Sequence, residues 1–389
     1  MQKDKMKQYQ CNHIDSLLLK SRENEKSDDV RGSYYRDTTA IIHSSAFRRL
    51  KHKTQVFFSP NNDHICTRIE HALHVASIAS TVCRGLDLNQ ELAWAIGIGH
   101  DLGHTPFGHV GEVIVSDIKK NEGFSKFEHE INSLRVVDFL SNKGKGMNLT
   151  YAVRDGIVSH CGEVFLKCIK PTFEIKDLSA VKMKKDLIPS TYEGAIVRFC
   201  DAIAYLGRDW EDACRLNIID KDDIPKNPKK ILGFSNSEII DTLVNDLMDS
   251  SDINGIRFSD EVFDAVIEMK EYNYQNIYKS PMLNGYKKYF SRLLNLIYNY
   301  LSQLLFENYD DVEKYAKEKN MLAIGFSNHV KDMLPIYLKK GEDIRFIIFD
   351  YIAGMSDNFA LDCAREILIP EHLNEEIESN IIRKWYDVE

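Results

Sequence analysis

The chain has 389 residues, 43% hydrophobic and 28% charged, a balance that fits an ordinary globular protein and excludes a disordered or fibrous one. It has no run of about 18 apolar residues to cross a membrane, and no apolar stretch follows Lys3, Lys5 and Lys7 as a secretion signal requires, so the expected location is the cytoplasm. The net charge of −9, from 59 acidic and 50 basic residues, disfavours a dedicated duplex-binding protein but leaves room for a local basic cleft.

In chain order, residues 1–30 read as a polar N-terminal arm that ends in the charged run RENEKSDD at 22–29. Residues 31–389 read as a single helical domain. Apolar residues recur at helical spacing at Ile69, Leu73 and Ala76, then at Leu92, Ala95, Ile96 and Ile98. Further helical patterns cover 130–140, 192–216, 237–248, 260–271, 286–305 and 345–353. Strand-like alternation is rare; 172–175 is the best candidate, which predicts one small hairpin around 162–188. Residues 217–235, with Asp220, Asp222, Asp223, Pro225 and Pro228, read as a loop between two helical halves. The fold class expected is all-α, with a core at about 60–216 and a C-terminal helical part at about 236–389. None of the eight cysteines forms a Cys-x-x-Cys pair, so buried reduced thiols are expected rather than disulfides or structural zinc.

Ten of the thirteen histidines lie between residues 43 and 160. Within that window stands HDLGHTPFGHVGE, residues 100–112. Gly103, Pro106, Gly108 and Gly111 predict a helix break after His100-Asp101, so that His104, His109 and Glu112 come off a tight turn. His71 lies on the helical pattern that begins near Arg68. Asp201 lies in the apolar run of 195–204, where a carboxylate is costly unless it is paired or binds a cation. Together His71, His100, Asp101 and Asp201 make an N2O2 ligand set that suits Mn, Fe, Co or Mg. Tyr205 and Asp209 follow Asp201 at i+4 and i+8, roughly on one helix face. Other features have simpler readings. His74 reads as a core or supporting residue, His64 as a solvated loop residue, and Arg48, Arg49, Lys51 and Lys53 as a solvated charge run. The tyrosines of 286–300 read as core or interface.

These motifs resemble the dGTPase (deoxyguanosine triphosphate triphosphohydrolase) family of the HD-domain metallohydrolases. The resemblance rests on Arg36-Asp37, HSSAFRRL at 43–50, KTQVF at 53–57, TRIEH at 67–71, HDLGHTPFGHVGE at 100–112, FEHE at 127–130, DAIAY at 201–205 and DYIAGMSD at 350–357. It implies a mostly helical HD-domain fold, homo-oligomers, a divalent metal, and conversion of a dNTP, dGTP foremost, to deoxynucleoside and tripolyphosphate. It implies His71, His100, Asp101 and Asp201 as metal ligands, and His109 with Glu112 as a catalytic pair. His104 and His129 resemble residues that reach the α-phosphate, and Arg68 a phosphate-binding arginine. Gln55, Tyr205 and Asp209 resemble deoxyribose ligands, with Val56 and Tyr205 as walls against C2′. Two positions depart from relatives: Ala202 stands where the vertebrate branch has lysine, and Arg208 where bacterial members often have histidine. Arg208, Lys287, Lys288 and Arg292 are candidates for the missing phosphate charge. The competing readings are another HD phosphohydrolase, such as a 5′-monophosphatase or phosphodiesterase, and a regulator that binds nucleotides or single-stranded nucleic acid.

Overall fold

The computed structural model describes residues 13–27, 29–58, 62–161, 165–183, 187–308 and 311–369. Its elements are α1 (Gly32–Ile42), α2 (Ser45–Arg49), α3 (Arg68–Gly85), α4 (Gln90–Gly99), α5 (Gly108–Asn121), α6 (His129–Arg135), α7 (Tyr151–Val158), α8 (Tyr192–Arg215), α9 (Asn236–Ser250), α10 (Asp260–Asn273), α11 (Pro281–Glu307), α12 (Met321–Lys340), α13 (Phe346–Gly354) and α14 (Asp357–Leu368). Short helical turns lie between them. The fold is mostly α, as expected, and among the described residues no helix is long and apolar enough to cross a membrane.

Two expectations fail. Among the described residues of 162–188 no hairpin forms: β1 (Cys168–Ile169) pairs antiparallel with β2 (Ile256–Arg257), a partner far along the chain, and 172–175 is not a strand. Alternation over a few residues marks extended backbone but does not choose its partner. The presumed loop 217–235 contains a helical turn, Lys221–Asp223, capped by Asp220, and a short helix, Lys226–Ile231, led in by Pro225. Of the N-terminal arm, 1–12 lie outside the described residues. Arg22 is tied into the body, its guanidinium donating to Asp37 at 2.5 Å and to the Asn148 carbonyl at 2.6 Å.

Two hydrophobic cores meet at the histidine-rich turn. One gathers α3, α4, α7, α8, α9 and α10 around Val75, Ile96, Ile157 and Ile203. The other packs α5 against α11–α14 around Ile114, Leu294, Phe326 and Phe349. Leu102 belongs to the first core and Phe107 to the second, so the segment between α4 and α5 is anchored at both ends. Gly103 is required there: a Cβ would come within 2.1 Å of the Ser133 amide nitrogen at α6. Gly108, with φ 57°, turns the chain into α5 as the sequence suggested, whereas Gly111 lies within the helix and does not break it. Gly111 lets the first turn of α5 close onto the Pro106 carbonyl, 1.8 Å from where a Cβ would stand.

The charge run at 48–53 is only partly solvated. Arg48 and Lys51 are exposed, but Lys53 is buried and donates to the His104 carbonyl and, at 2.8 Å, to the Ala353 carbonyl. Burial and then the Arg49 charge push this amine well below the ordinary lysine range, and the two carbonyls replace the water it loses. Of the tyrosines on α11, Tyr298 is core and Tyr289 is exposed, while half-buried Tyr286 stacks on Phe290, which stacks on Phe107 with centroids 4.0 Å apart.

Asp357, at the start of α14, joins the two cores at the site. Its carboxylate accepts from the Thr54 amide at 2.8 Å, the Thr54 hydroxyl at 2.5 Å and the Phe107 amide at 2.8 Å. Phe107 has φ 63°, a left-handed conformation uncommon for a non-glycine residue, and this contact holds it. Asp357→Ala strands one buried and two part-buried donors, so a loss of about 2–4 kcal/mol is expected. Urea unfolding checks this; an unchanged midpoint rules it out.

Candidate active site and metal centre

Four helix ends and one helix interior build the site. Thr67 starts α3 by donating its amide (2.8 Å) and hydroxyl (2.9 Å) to Glu70, which puts Arg68 and His71 on the first turn. α4 stops at Gly99, and His100 folds back so that its Nδ1 donates to the Gly97 carbonyl at 2.6 Å. His109 and Glu112 lie on the first turn of α5 and His129 opens α6. Asp201, Tyr205 and Asp209 lie along α8, which Thr191 caps through the Gly194 amide at 3.1 Å.

The sequence-predicted ligands come together. His71 Nε2 lies 3.0 Å from Asp201 Oδ1, and one donor atom from each of His71, His100 and Asp201 falls within 4.8 Å of the others. Asp101 Oδ1 is 3.4 Å from His100 Nε2, and its Oδ2 is 4.0 Å from His71 Nε2. Because a carbonyl only accepts, the Gly97 contact fixes the proton of His100 on Nδ1 and leaves the Nε2 lone pair facing the group. That buried Nε2 makes no hydrogen bond. Two imidazoles and two carboxylates with an open lone pair therefore fit a divalent cation.

The electrostatics match this geometry. Burial opposes ionisation of Asp101 and Asp201, yet His100, His104 and Arg68 hold Asp101 well below the usual carboxylate range, and His71 does the same for Asp201. Burial also opposes the charge on His71, but Asp201 and Asp101 outweigh it and raise its pKa.

Around this group the other predicted residues divide into a histidine side and a sugar side. His109 is exposed, with Nδ1 3.5 Å from Glu112 Oε2. The same carboxylate accepts from the His129 amide at 2.9 Å and faces His129 Nδ1 at 3.0 Å. His104 stacks on His129 with centroids 3.9 Å apart and is pushed well down by burial and by the Arg68 and His129 charges. His104, His109, Glu112 and His129 could also gather a cation by distance alone, but Glu112 already engages both rings beside it. Arg68 is buried, donating to Asp101 at 2.7 Å and to the Gln55 carbonyl at 3.2 Å, with Nε unpartnered. The Gln55 side-chain oxygen is also buried without a partner, and Val56 beside it is half-buried.

Tyr205 is half-buried and Asp209 buried. Asp209 accepts from the Tyr278 hydroxyl at 2.6 Å, a partner no sequence motif announced. Of the phosphate candidates, Arg208 donates to Glu211 at 3.2 Å, whereas Lys287, Lys288 and Arg292 are exposed on α11. His64 is exposed and His74 half-buried, as read from sequence. His160, Glu130 and Lys53 received no functional role from the sequence. The FEHE motif holds Glu130, and the end of α7 points to His160, but only their contacts reveal them.

Burial pushes Asp209 up to about 7, against the pull of Tyr278 and of the His71 and His109 charges. In the unfolded chain it ionises near the ordinary aspartate value of 3.8. The stability tied to its neutral form is therefore complete below about 4 and lost as pH rises through about 7. Asp209→Asn, which keeps the shape without the charge, is expected to match the parent at pH 4 and exceed it by about 2–4 kcal/mol at pH 8. Urea unfolding at both pH values tests this, and a pH-independent difference refutes it.

A helical scaffold that presents His71, His100-Asp101 and Asp201 to one point is that of an HD-domain phosphohydrolase. The chain matches the HD domain over residues 68–206 and the phosphohydrolase-associated domain over residues 256–366. It is 37% identical to a deoxyguanosinetriphosphate triphosphohydrolase-like protein of Caldanaerobacter subterraneus subsp. tengcongensis, covering 90% of this chain and 89% of the relative. Proteins of the same description from Desulfatibacillum aliphaticivorans and Clostridium tetani are 35% and 33% identical, over 88% and 89% of this chain and 89% and 88% of theirs. The chain belongs to the deoxyguanosinetriphosphate triphosphohydrolase-like family of HD-domain hydrolases, and it is an enzyme of that type.

Proposed function

We propose that the protein hydrolyses deoxynucleoside triphosphates, dGTP foremost, releasing the deoxynucleoside and intact tripolyphosphate. One observation carries this reading. Gln55 Oε1, Arg68 Nε, His100 Nε2 and His104 Nδ1 are all buried without partners. They belong to residues joined through Arg68 and Asp101 by contacts of 2.7 Å (Arg68–Asp101), 3.2 Å (Arg68–Gln55), 3.3 Å (Asp101–His104) and 3.4 Å (Asp101–His100). Buried polar atoms are rarely left unpaired, and a cluster of them marks where a polar ligand completes the set.

In this reading His71, His100, Asp101 and Asp201 hold the divalent ion, Mn, Fe, Co or Mg. Such an ion polarises a phosphoryl oxygen and lowers the pKa of water toward neutral. The exposed ring of His109 transfers the proton, with Glu112 orienting it through Nδ1. His104 and His129 face the α-phosphate, and Arg68 offers its charge to the polyanion. Gln55 and Asp209 hold the 3′-hydroxyl, and Val56 and Tyr205 close the space at C2′. The same reading takes residues 31–389 as one unit that assembles into homo-oligomers in the cytoplasm.

Incubation of the purified protein with each dNTP and with GTP, in Mn, Co or Mg, followed by product chromatography, tests this. Deoxynucleoside with tripolyphosphate is expected, and dGTP should turn over at least about ten times faster than GTP if C2′ is closed off. Monophosphate products would assign another HD activity. Oligonucleotide binding without turnover would assign a regulator.

A further inference from the structure

His160 has no task in the reading above, yet it is buried against the histidine cluster, 1% exposed, just past the end of α7. Its Nδ1 lies 2.5 Å from the Ile157 carbonyl oxygen, in the last turn of that helix, where carbonyls lack helical partners. A carbonyl only accepts, so Nδ1 carries the proton. Of the His160 and His129 rings, His129 is the one with carboxylates at 3.0 Å (Glu112) and 3.6 Å (Glu130), so the proton between the two rings belongs to His129. The remaining nitrogen, Nε2, is therefore an acceptor, and it lies 3.2 Å from His129 Nε2. His129 must donate there. Its other nitrogen faces Glu112 at 3.0 and 3.2 Å, again a group that only accepts, so it donates there as well. Glu130, 3.6 Å from Nδ1, adds a second carboxylate to stabilise the doubly protonated ring.

The order of the chain is then fixed: Ile157 carbonyl, His160, His129, Glu112, His109. We propose that His160 is a positioning residue for hydrolysis. Locked in one tautomer by Ile157, it presents a fixed acceptor that holds the His129 ring, and through it Glu112, in place beside His109. This rests on the assignment of His109 and Glu112 to proton transfer. The rival role is ligation, since His160 lies within metal-binding reach of His100 and Asp101. A ligand would need the Nε2 lone pair that His129 occupies here.

Histidine-selective 15N NMR of the full-length protein in Mg2+ reads the ring nitrogens, with His129→Gln and His160→Gln spectra for assignment. Protons on both nitrogens of His129, and on Nδ1 alone of His160, are expected. The Nε2–H form of His160, or an unprotonated Nε2 on His129, overturns the proposal. In kinetics, His160→Leu, which offers no acceptor, is expected to lower kcat about 10- to 100-fold with KM and metal content unchanged. His160→Gln, whose amide oxygen can accept, should recover most of that loss. Full kcat in His160→Leu, or loss of its metal, also overturns the proposal. A wild type that releases no nucleoside from any dNTP defeats the proposed function instead, while the nitrogen pattern still decides the hydrogen-bond chain.

Discussion

Asp201→Ala is expected to remove the bound metal and lower turnover on the order of 10³-fold or more. Asp201 lies mid-helix among Cys200, Ala202 and Ile203, and its carboxylate meets His71 Nε2 at 3.0 Å. Burial alone would keep it neutral, but His71 and His100 hold it ionised. Without it, His71 and His100 retain their imidazoles but lose the anionic ligand that offsets a divalent charge. If Asp201 serves only as an ion-pair partner, the same substitution strands His71 and costs about 3–5 kcal/mol of stability while metal content stays constant. Elemental analysis after dialysis, with steady-state turnover and urea unfolding on one preparation, separates these cases. Full metal content with turnover within tenfold of the parent would sink the assignment.

His109→Ala is expected to lower kcat by about 10²- to 10⁴-fold, the range of a lost general acid or base, and to keep the metal. The His109 side chain is 57% exposed, whereas Glu112 beneath it is only 11% exposed. Its removal opens no cavity, so stability should stay within about 0.5 kcal/mol. The exposed ring is free to meet a substrate, and the carboxylate beside it, Glu112, is nearly shut off from solvent. Loss of metal with activity would make His109 a ligand; kcat within a few fold of the parent would give the proton transfer to another group. Measuring metal content beside kcat decides.

Much of the site was legible because its signals are local. Glycines and a proline directly after His100-Asp101 announced a turn, and the apolar surroundings of Asp201 marked a carboxylate that needed a partner. Helical spacing put Tyr205 and Asp209 on the helix of Asp201, and α8 carries all three. Where the reading went astray, local signals were ambiguous. Gly111 acts through close packing inside the first turn of α5 rather than as a breaker. Lys53 looked like one more solvated cation until the His104 and Ala353 carbonyls were seen to surround it.

The sequence by itself determined the all-α class, most of the helices around the site, and which histidines and carboxylates were candidates, because periodicity, capping and helix breaking act over a few residues. Only the tertiary structure decided the partners. It paired Cys168–Ile169 with Ile256–Arg257, tied Thr54 and Phe107 to Asp357, set Tyr278 on Asp209, and joined His160 to His129. Those choices depend on which buried donors and acceptors meet when the two cores close, and a polar atom shut away from water must take whichever partner the packing brings to it.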